Sequence, residues 1–374
     1  MQPILRTFSF LLLLAIATAC NKPAAPEATE NPKTELDDYY EGDFHIGAAV
    51  SAPQIEGKDE QASHLIATQF NSLTPENIMK WMHIHPEPDS FDFVLPDQLL
   101  ALAEAQDKQL IAHTLVWHSQ LAPWVSKITD STTLANHLEH HINTIVGRYK
   151  GKIDGWDVVN EALNEDGSLR ETIFLQFLGP DYLPNAFKLA AAVDPNTELY
   201  YNDYNLCQPA KRAGCVALVK AIQAAGAKID GVGIQGHWNL NGPSLEEIEA
   251  SILAYHELGV KVMFTELDIT VLPNPWDLDG ANVNQNFENN DFMNPYPESL
   301  PDSVQLKLAD RYADIFKLFL KHRDKISRVT FWGVHDSHSW LNDWPIDGRT
   351  NYPLLFDRNY QGKAAFDRLL TLKP

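Results

Sequence analysis

The chain has 374 residues, 44% of them hydrophobic, and it carries 29 basic against 50 acidic residues, for a formal net charge of −21. This length and apolar content can bury a large core, and a single large folded domain is the simplest expectation. A surface this acidic repels nucleic acids and anionic lipid headgroups. The composition therefore excludes nucleic acid as a partner.

The amino-terminal residues 1–19 have the layout of an export signal, in which Arg6 precedes an apolar run and then small residues. The apolar run is too short to span a membrane. Residues 17–20, Ala-Thr-Ala-Cys, resemble a bacterial lipobox. We therefore expect Cys20 to carry a lipid anchor, as in a bacterial lipoprotein of the outer membrane or cell surface. The alternative is an ordinary secretory signal, which would give a periplasmic or secreted protein.

Residues 20–43 are rich in proline, alanine and acidic side chains, which predicts a flexible tether before a catalytic domain at 44–374. Lipidation of Cys20 would leave Cys207 and Cys215. These two either form a disulfide in an oxidising compartment or are two small buried hydrophobic residues. No other cysteine or suitably spaced histidine predicts a metal site. We expect no cofactor and, by default, a monomer.

From residue 45 onward, segments typical of strands and helices alternate along the chain. Apolar runs predict eight strands, at 45–51, 71–76, 110–118, 153–161, 198–205, 231–238, 260–269 and 328–336. Apolar residues at three- and four-residue steps predict helices between them, including 134–149, 213–225, 244–258, 303–321 and 362–370. This alternation predicts an α/β fold, a (β/α)8 TIM barrel in a single catalytic domain, with its chemistry at the carboxyl ends of the strands.

One long segment, 270–301, interrupts this alternation with many asparagine, aspartate and proline residues. Loops of this length are usually functional or mobile. The aromatic residues Trp276, Phe292 and Tyr296 either extend a binding cleft or pin the loop to the barrel.

Polar and aromatic residues are concentrated at the carboxyl ends of seven predicted strands, where a barrel interior would not require them. Two of them are carboxylates at the ends of the fourth and seventh strands, Glu161 and Glu266. Retaining glycosidases use two carboxyl groups about 5–5.5 Å apart, one as nucleophile and one as acid and then base. Opposite walls of one barrel rim can supply that spacing. The pair therefore indicates glycosidic bond cleavage.

The chain resembles the endo-β-1,4-xylanases of glycoside hydrolase family ten from about residue 44 to residue 370. The resemblance is carried by five motifs in the family's order, LTPENIMKW at 73–81, HTLVWH at 113–118, WDVVNE at 156–161, GIQGH at 233–237 and TELD at 265–268. Several long motifs in the right order are a specific signal, whereas an Asn-Glu pair alone occurs in many barrel glycosidases.

The resemblance implies a role for each matching residue, with xylan and xylo-oligosaccharides as the substrate. Glu161 would be the acid/base and Glu266 the nucleophile, supported by Asn160, His237 and Asp268. Asn160 would bond the sugar 2-hydroxyl, and His237 with Asp268 would orient the nucleophile. The residues that would bind or enclose the sugars are Glu76, Asn77, Lys80, His113, Trp117, Gln120, Asn202, Tyr204, Gln235, Trp332 and Trp340.

Two other functions remain open at the level of the sequence. One is a related retaining barrel glycosidase that acts on cellulose or mixed-linkage glucan. The other is a catalytically inactive glycan-binding lipoprotein that keeps the fold and its aromatic residues. Loss of either glutamate would have indicated the second, and both are present.

Overall fold

The computed structural model describes residues 35–275, 278, 280 and 282–373, and its strands form one closed parallel barrel. The first and last strands pair with each other, so the sheet has no open edge between them. The sixth barrel strand is divided into β6 and β7, which pair with successive parts of β8. The predicted (β/α)8 barrel is therefore confirmed. Its strands are β1 His45–Val50, β2 Ser72–Pro75, β3 Gln109–Trp117, β4 Gly155–Asn160, β5 Glu198–Asp203, β6 Gly231–Ile234, β7 His237–Asn239, β8 Lys261–Thr270 and β9 Ile326–Phe331.

Helices surround the barrel, and the predicted ones begin and end within a few residues of the observed ones. Two of them, Ser131–Arg148 and Leu245–His256, are capped at their first turns, since Asp130 and Ser244 accept hydrogen bonds from their backbone N–H groups. The helices are α1 Leu36–Tyr39, α2 Ala52–Ile55, α3 Glu60–Gln69, α4 Trp81–Ile84, α5 Val94–Ala105, α6 Ser131–Arg148, α7 Ile173–Leu178, α8 Tyr182–Val193, α9 Pro209–Ala224, α10 Leu245–His256, α11 Asp302–Lys321 and α12 Ala364–Leu369.

The strands are apolar along their length because both of their faces are covered. All six residues of β4 are buried, as are the last five of β1 and of β5. A strand with the barrel interior on one side and helices on the other has no solvent face, so it lacks polar alternation. This burial fixes the strands rigidly, and the loops at their carboxyl ends are built on that frame.

The folded domain begins before the predicted boundary at Phe44. Leu36 and Tyr40 are fully buried, the Tyr40 ring stacks on Phe44 at 5.2 Å, and the Tyr40 hydroxyl donates to the Leu369 carbonyl at 2.9 Å. These contacts make residues 36–43 part of the domain, which corrects the end of the predicted tether. The lipobox with Cys20 lies outside the described residues. Among the residues that are described, no helix has the length and apolarity needed to span a membrane.

The packing decides between the two interpretations of Cys207 and Cys215, and it corrects the predicted end of the last strand. Cys207 and Cys215 are unbonded and buried in the hydrophobic core, so they are the two small buried side chains of the alternative interpretation. Burial raises the pKa of the Cys207 thiol to about 12. The eighth barrel strand ends at Phe331 and not at the predicted residue 336, since Gly333 has a φ of 133°, a conformation that interrupts the ladder.

Candidate active site

An open cleft of about 610 Å³ lies at the carboxyl ends of the strands. Of the sixteen residues predicted to form the catalytic and sugar-binding site, only Asn202 does not line this cleft, and its side chain bonds to Glu266 beneath it. The fifteen predicted residues in the lining are Glu76, Asn77, Lys80, His113, Trp117, Gln120, Asn160, Glu161, Tyr204, Gln235, His237, Glu266, Asp268, Trp332 and Trp340.

A second cavity, of about 630 Å³, lies at the opposite, amino-terminal ends of the strands. One of the residues that line it is Glu198, the first residue of β5. The Glu198 carboxylate accepts hydrogen bonds from Lys261 and from the Tyr200 hydroxyl. Barrel enzymes act at the carboxyl ends of their strands, so we assign the chemistry to the cleft there and not to this cavity.

Glu161 directly follows β4 and has a φ of 58°, in the left-handed region that is costly for a residue with a side chain. Its carboxylate accepts hydrogen bonds on both oxygens, from Trp117 Nε1 at 2.8 Å and from Gln235 Nε2 at 2.9 Å. Its carbonyl oxygen accepts one from Arg170 Nε at 3.1 Å. These bonds hold the strained residue with its carboxylate aimed into the cleft.

Glu266 lies within β8 and is only 4% exposed. Its Oε1 accepts a hydrogen bond from Asn202 Nδ2 at 2.7 Å, and its Oε2 lies 3.1 Å from His237 Nε2. The other nitrogen of His237, Nδ1, lies 3.0 Å from Asp268 Oδ1. The imidazole is therefore held between two carboxylates.

The charges around Glu266 and His237 decide the protonation states of these two residues. Burial alone would raise the pKa of Glu266, but the His237 hydrogen bond and the charges of His113, His237 and Lys80 outweigh it and lower that pKa. Burial opposes protonation of His237, yet Asp268 and then Glu266 raise its pKa to about 10. The site thus holds an imidazolium beside an ionised Glu266.

A chain of amides connects the two glutamates. Gln235 Nε2, which donates to Glu161, also donates to Asn160 Oδ1 at 3.3 Å, and the same oxygen accepts from Asn202 Nδ2 at 3.0 Å. Asn202 in turn donates to Glu266. The hydroxyl of Thr265 donates to Asn202 Oδ1 at 2.5 Å, which fixes the direction of that amide. The two carboxylates are therefore positioned relative to each other by neutral donors.

Three polar residues after β2 form one end of the cleft. Lys80 Nζ donates to Asn77 Oδ1 at 2.9 Å and lies 4.9 Å from the centre of the Trp117 ring. Burial lowers the pKa of Lys80 against the charges of Glu266, Glu76 and Glu161. Burial also raises the pKa of Glu76, opposed by Lys80. Clustered donors and acceptors of this kind are suited to sugar hydroxyls.

Aromatic side chains form the wall of the cleft beside Glu266. Trp340 stacks on Trp344 with ring centres 4.7 Å apart, and its Nε1 donates to Asp268 Oδ2 at 2.8 Å. Trp332 lies edge-on to His113, with ring centres 5.4 Å apart. Aromatic faces stack on the apolar C–H surface of a pyranose ring while its hydroxyls bond in the ring plane. The wall is thus built for sugars, and Trp340 connects it to the support of Glu266.

The other end of the cleft is bordered by Tyr204 and the long loop at 270–301. The Tyr204 hydroxyl accepts from Arg170 Nη2 at 2.9 Å, and Lys211 Nζ lies 3.4 Å from the centre of its ring. The loop residues that line the cleft are Asn274, Leu278, Gly280, Val283 and Asn284.

Two of the loop aromatics singled out in the sequence, Phe292 and Tyr296, are not part of this lining. Phe292 is 73% exposed, and the Tyr296 carbonyl accepts a hydrogen bond from the Tyr352 hydroxyl at 2.8 Å. Trp276 lies outside the described residues. The loop does extend the cleft, but through residues that the sequence did not single out.

Several supporting residues were missed in the sequence. Asp157 Oδ2 accepts a hydrogen bond from His113 Nδ1 at 2.9 Å, and Asp157 could have been found because it lies inside the motif that ends in Glu161. Lys211, on α9, is fully buried and pairs with Asp203 at 3.0 Å. Nothing in the helical pattern distinguishes Lys211 from a surface lysine. Arg170 lies in the loop after β4, outside every recognisable motif.

A (β/α)8 barrel with two glutamates in an aromatic-walled cleft at its carboxyl end defines the class of the protein, an enzyme that hydrolyses glycosidic bonds. The sequence matches the description Glycosyl hydrolase family 10 over residues 35–372. The chain belongs to this family.

Relatives and solved structures of the family align along nearly the whole chain. The endo-1,4-beta-xylanase A of Xylanibacter ruminicola is 44% identical over 368 residues, which are 97% of each chain. A GH10 endoxylanase structure from a sugarcane soil metagenome has a TM-score of 0.86 at 45% identity, covering 90% of this chain and all of that one. A structure of xylanase 10B from Thermotoga petrophila RKU-1 in complex with xylobiose has a TM-score of 0.79 at 30% identity, covering 90% and 97%.

Proposed function

We propose that the protein is an endo-1,4-β-xylanase that cleaves internal xylosidic bonds with retention of configuration, with Glu161 as acid/base and Glu266 as nucleophile. The observation that carries the proposal is the contrast between the two glutamates. Glu266 is kept ionised by an imidazolium, whereas the Glu161 carboxylate is held by three neutral donors, from Trp117, Gln235 and Asn160. The names of the relatives support xylan as the substrate class.

In the first step, a Glu266 oxygen attacks the anomeric carbon while the bond from that carbon to the leaving oxygen breaks. Glu161 gives its proton to the leaving oxygen, and the product is a glycosyl ester on Glu266. His237 and Asp268 hold Glu266 in line for the attack. The amide of Asn160 bonds the sugar 2-hydroxyl, a contact that strengthens as charge develops on the ring.

In the second step, a water molecule enters from the side that the leaving group has vacated. The Glu161 carboxylate takes a proton from the water molecule. At the same time the water oxygen attacks the anomeric carbon, and the ester bond to Glu266 breaks. Glu161 is then protonated again and Glu266 is again a free carboxylate, so both residues are ready for the next cycle. Two inversions give net retention.

The preference for xylan over cellulose is proposed to be steric. The two polymers differ at C5, where xylose carries only hydrogen and glucose a hydroxymethyl group. Gln120 and Trp340, both in the cleft lining, would close over that side of the sugars. A misfit there costs about 1–3 kcal/mol per sugar, or roughly 10- to 200-fold in specificity. The double substitution Gln120→Ala with Trp340→Ala should therefore lower the ratio of kcat/KM for an aryl xylobioside to kcat/KM for an aryl cellobioside.

A substrate panel separates this proposal from the alternatives. Purified protein is assayed on xylan, mixed-linkage glucan, cellulose and mannan, and the first product is followed by proton NMR. We expect rapid hydrolysis of xylan alone, a mixture of oligosaccharides from internal cleavage, and the β-anomer as first product. Preferred hydrolysis of glucan would favour the glucanase, and binding without hydrolysis would favour the glycan-binding lipoprotein. An α-anomer would contradict the retaining mechanism.

We also propose export through the signal at residues 1–19 and anchoring to the membrane through a lipid on Cys20. The support is the lipobox-like sequence before Cys20. The enzyme would then act on polymer outside the cytoplasm, and the monomer stays the expected state.

A further inference from the structure

Three side chains with metal-binding atoms meet beside the cleft, and the proposed reaction uses none of them. Asp59 caps α3, with Oδ1 accepting from the Ala62 N–H at 3.0 Å, so its Oδ2 points elsewhere. His335 follows β9, and His338 ends the next 3-10 turn. One carboxylate oxygen and two ring nitrogens of these residues lie within 4.8 Å of one another.

Two of the separations between these atoms are close to the edge of a tetrahedron of ligands around a metal ion. Asp59 Oδ2 lies 3.3 Å from His335 Nε2 and 3.7 Å from His338 Nδ1. Zn²⁺ binds nitrogen and carboxylate oxygen at about 2.0–2.2 Å in tetrahedral geometry, which separates neighbouring ligand atoms by about 3.3–3.5 Å. The two histidine nitrogens lie within 4.8 Å of each other, so all three atoms surround one point that an ion could occupy.

The surroundings of His335 suit coordination. Its side chain is fully buried, and its other nitrogen, Nδ1, lies 2.9 Å from Ser337 Oγ. In the tautomer in which Nδ1–H donates to Ser337, the lone pair of Nε2 faces Asp59 and His338.

The carboxylate and the local charges are also arranged for a cation. The Tyr360 hydroxyl donates to Asp59 Oδ2 at 3.2 Å and holds that oxygen in place, as outer hydrogen bonds do around metal ligands. Glu76 adds a second carboxylate near His338, whereas Arg358 adds a positive charge near His335. The Arg358 guanidinium is directed to the Asn342 side chain at 2.7 Å.

We propose that Asp59, His335 and His338 bind a divalent transition metal ion, best matched by Zn²⁺, with water in the fourth position. Asp59 lies in the loop after β1 and the two histidines in the loop after β9, and these strands pair to close the barrel. A bound ion would cross-link the first and last strands at the rim. The expected result is greater resistance to thermal unfolding, with no part in the proton transfers.

The test uses the full-length protein and Zn²⁺ alone as the probe. After treatment with EDTA and dialysis, one equivalent of Zn²⁺ should raise Tm by about 2–5 °C in calorimetry. Co²⁺ should bind at the same site with the intense visible absorption of a tetrahedral centre. Both signals are independent of xylan hydrolysis, so the result does not depend on the proposed function.

Matched variants locate the ion. His338→Ala should abolish the Tm shift and the Co²⁺ absorption, and the half-exposed position of His338 makes a folding defect unexpected. Asp59→Asn should do the same while keeping the helix cap, because asparagine caps as well as aspartate. The control, His256→Ala at an exposed position on α10, should behave as the wild type. A wild type without either signal, or a His338→Ala protein that keeps both, would overturn the proposal.

Discussion

Glu266 is a buried carboxylate whose pKa is nevertheless low, because His237, His113 and Lys80 supply positive charge around it. If it is the nucleophile, Glu266→Ala should remove the covalent step and leave less than about a hundredth of the wild-type activity on an aryl xylobioside. The measurement is initial-rate kinetics. Azide should restore part of the activity, with an α-glycosyl azide as product.

The matched control for this substitution is Glu198→Ala, which removes a carboxylate at the opposite end of the barrel. It should keep wild-type kinetics apart from any loss of stability. Activity of Glu266→Ala above a hundredth of the wild type, measured on protein freed of contaminating xylanase, would show that Glu266 is not the nucleophile.

Asp268 acts on Glu266 through one intervening ring. Its charge is the main cause that keeps His237 protonated, and the His237 hydrogen bond is the main cause that lowers the pKa of Glu266. Asp268→Asn should let His237 lose its proton, so the pKa of Glu266 should rise. Because the nucleophile must be ionised, the acidic limb of the kcat/KM profile should move to higher pH, by about 0.5–1 unit.

The pH profile distinguishes this charge effect from a general loss of activity. Asp97→Asn, at a surface ion pair with Arg148, is the control and should leave the acidic limb in place. A limb that is unchanged in Asp268→Asn, or that moves to lower pH, would refute the proposed chain from Asp268 to Glu266.

At the scale of elements, α9 packs unusually closely against the loop that follows Glu161. A Cβ on Gly214 of α9 would lie 2.3 Å from the Gly167 carbonyl oxygen and 2.6 Å from its Cα. Gly167 has a φ of 82°, so its own backbone has little room to adapt. Alanine at 214 would normally favour the helix by up to about 1 kcal/mol, but here we expect a net loss of about 1–3 kcal/mol.

The control is the same substitution in another helix. A Cβ on Gly147 of α6 would meet only Val193 Cγ1 at 3.8 Å, an ordinary contact. Gly147→Ala should therefore raise Tm slightly, while Gly214→Ala should lower it by several degrees and reduce kcat, because the loop that carries Arg170 must move. Equal effects of the two substitutions in thermal denaturation would contradict this explanation.

The sequence predicts well those elements whose burial follows from the order of apolar and polar residues within the element itself. Apolar runs and helical periodicity locate the barrel strands and the long helices, since each follows from local composition. The short α1, by contrast, is stable only because Tyr40 contacts Phe44 and Leu369 across the fold. Lys211 shows the same limit at the site, because its partner Asp203 is brought to it only by the packing of α9 on β5.

At the scale of the whole molecule, the predicted lipid anchor can be separated from the enzyme. Cys20→Ser should release active protein from the membrane fraction, because a serine cannot take the thioether-linked lipid. Globomycin, which blocks lipoprotein maturation, should make the wild-type precursor accumulate. The measurement is fractionation followed by xylanase assay. Unchanged membrane association of Cys20→Ser would remove the anchor from the proposal.

The two ends of the described chain lie together at the base of the barrel. Tyr40 bonds to Leu369, the Lys373 N–H donates to the Tyr39 hydroxyl, and residues 41–44 border the cavity at the amino-terminal ends of the strands. The described chain therefore begins and ends on the side of the barrel away from the cleft. A bead, a surface or a fused protein attached there would leave the groove open along its length, so a long insoluble polymer could still enter it sideways.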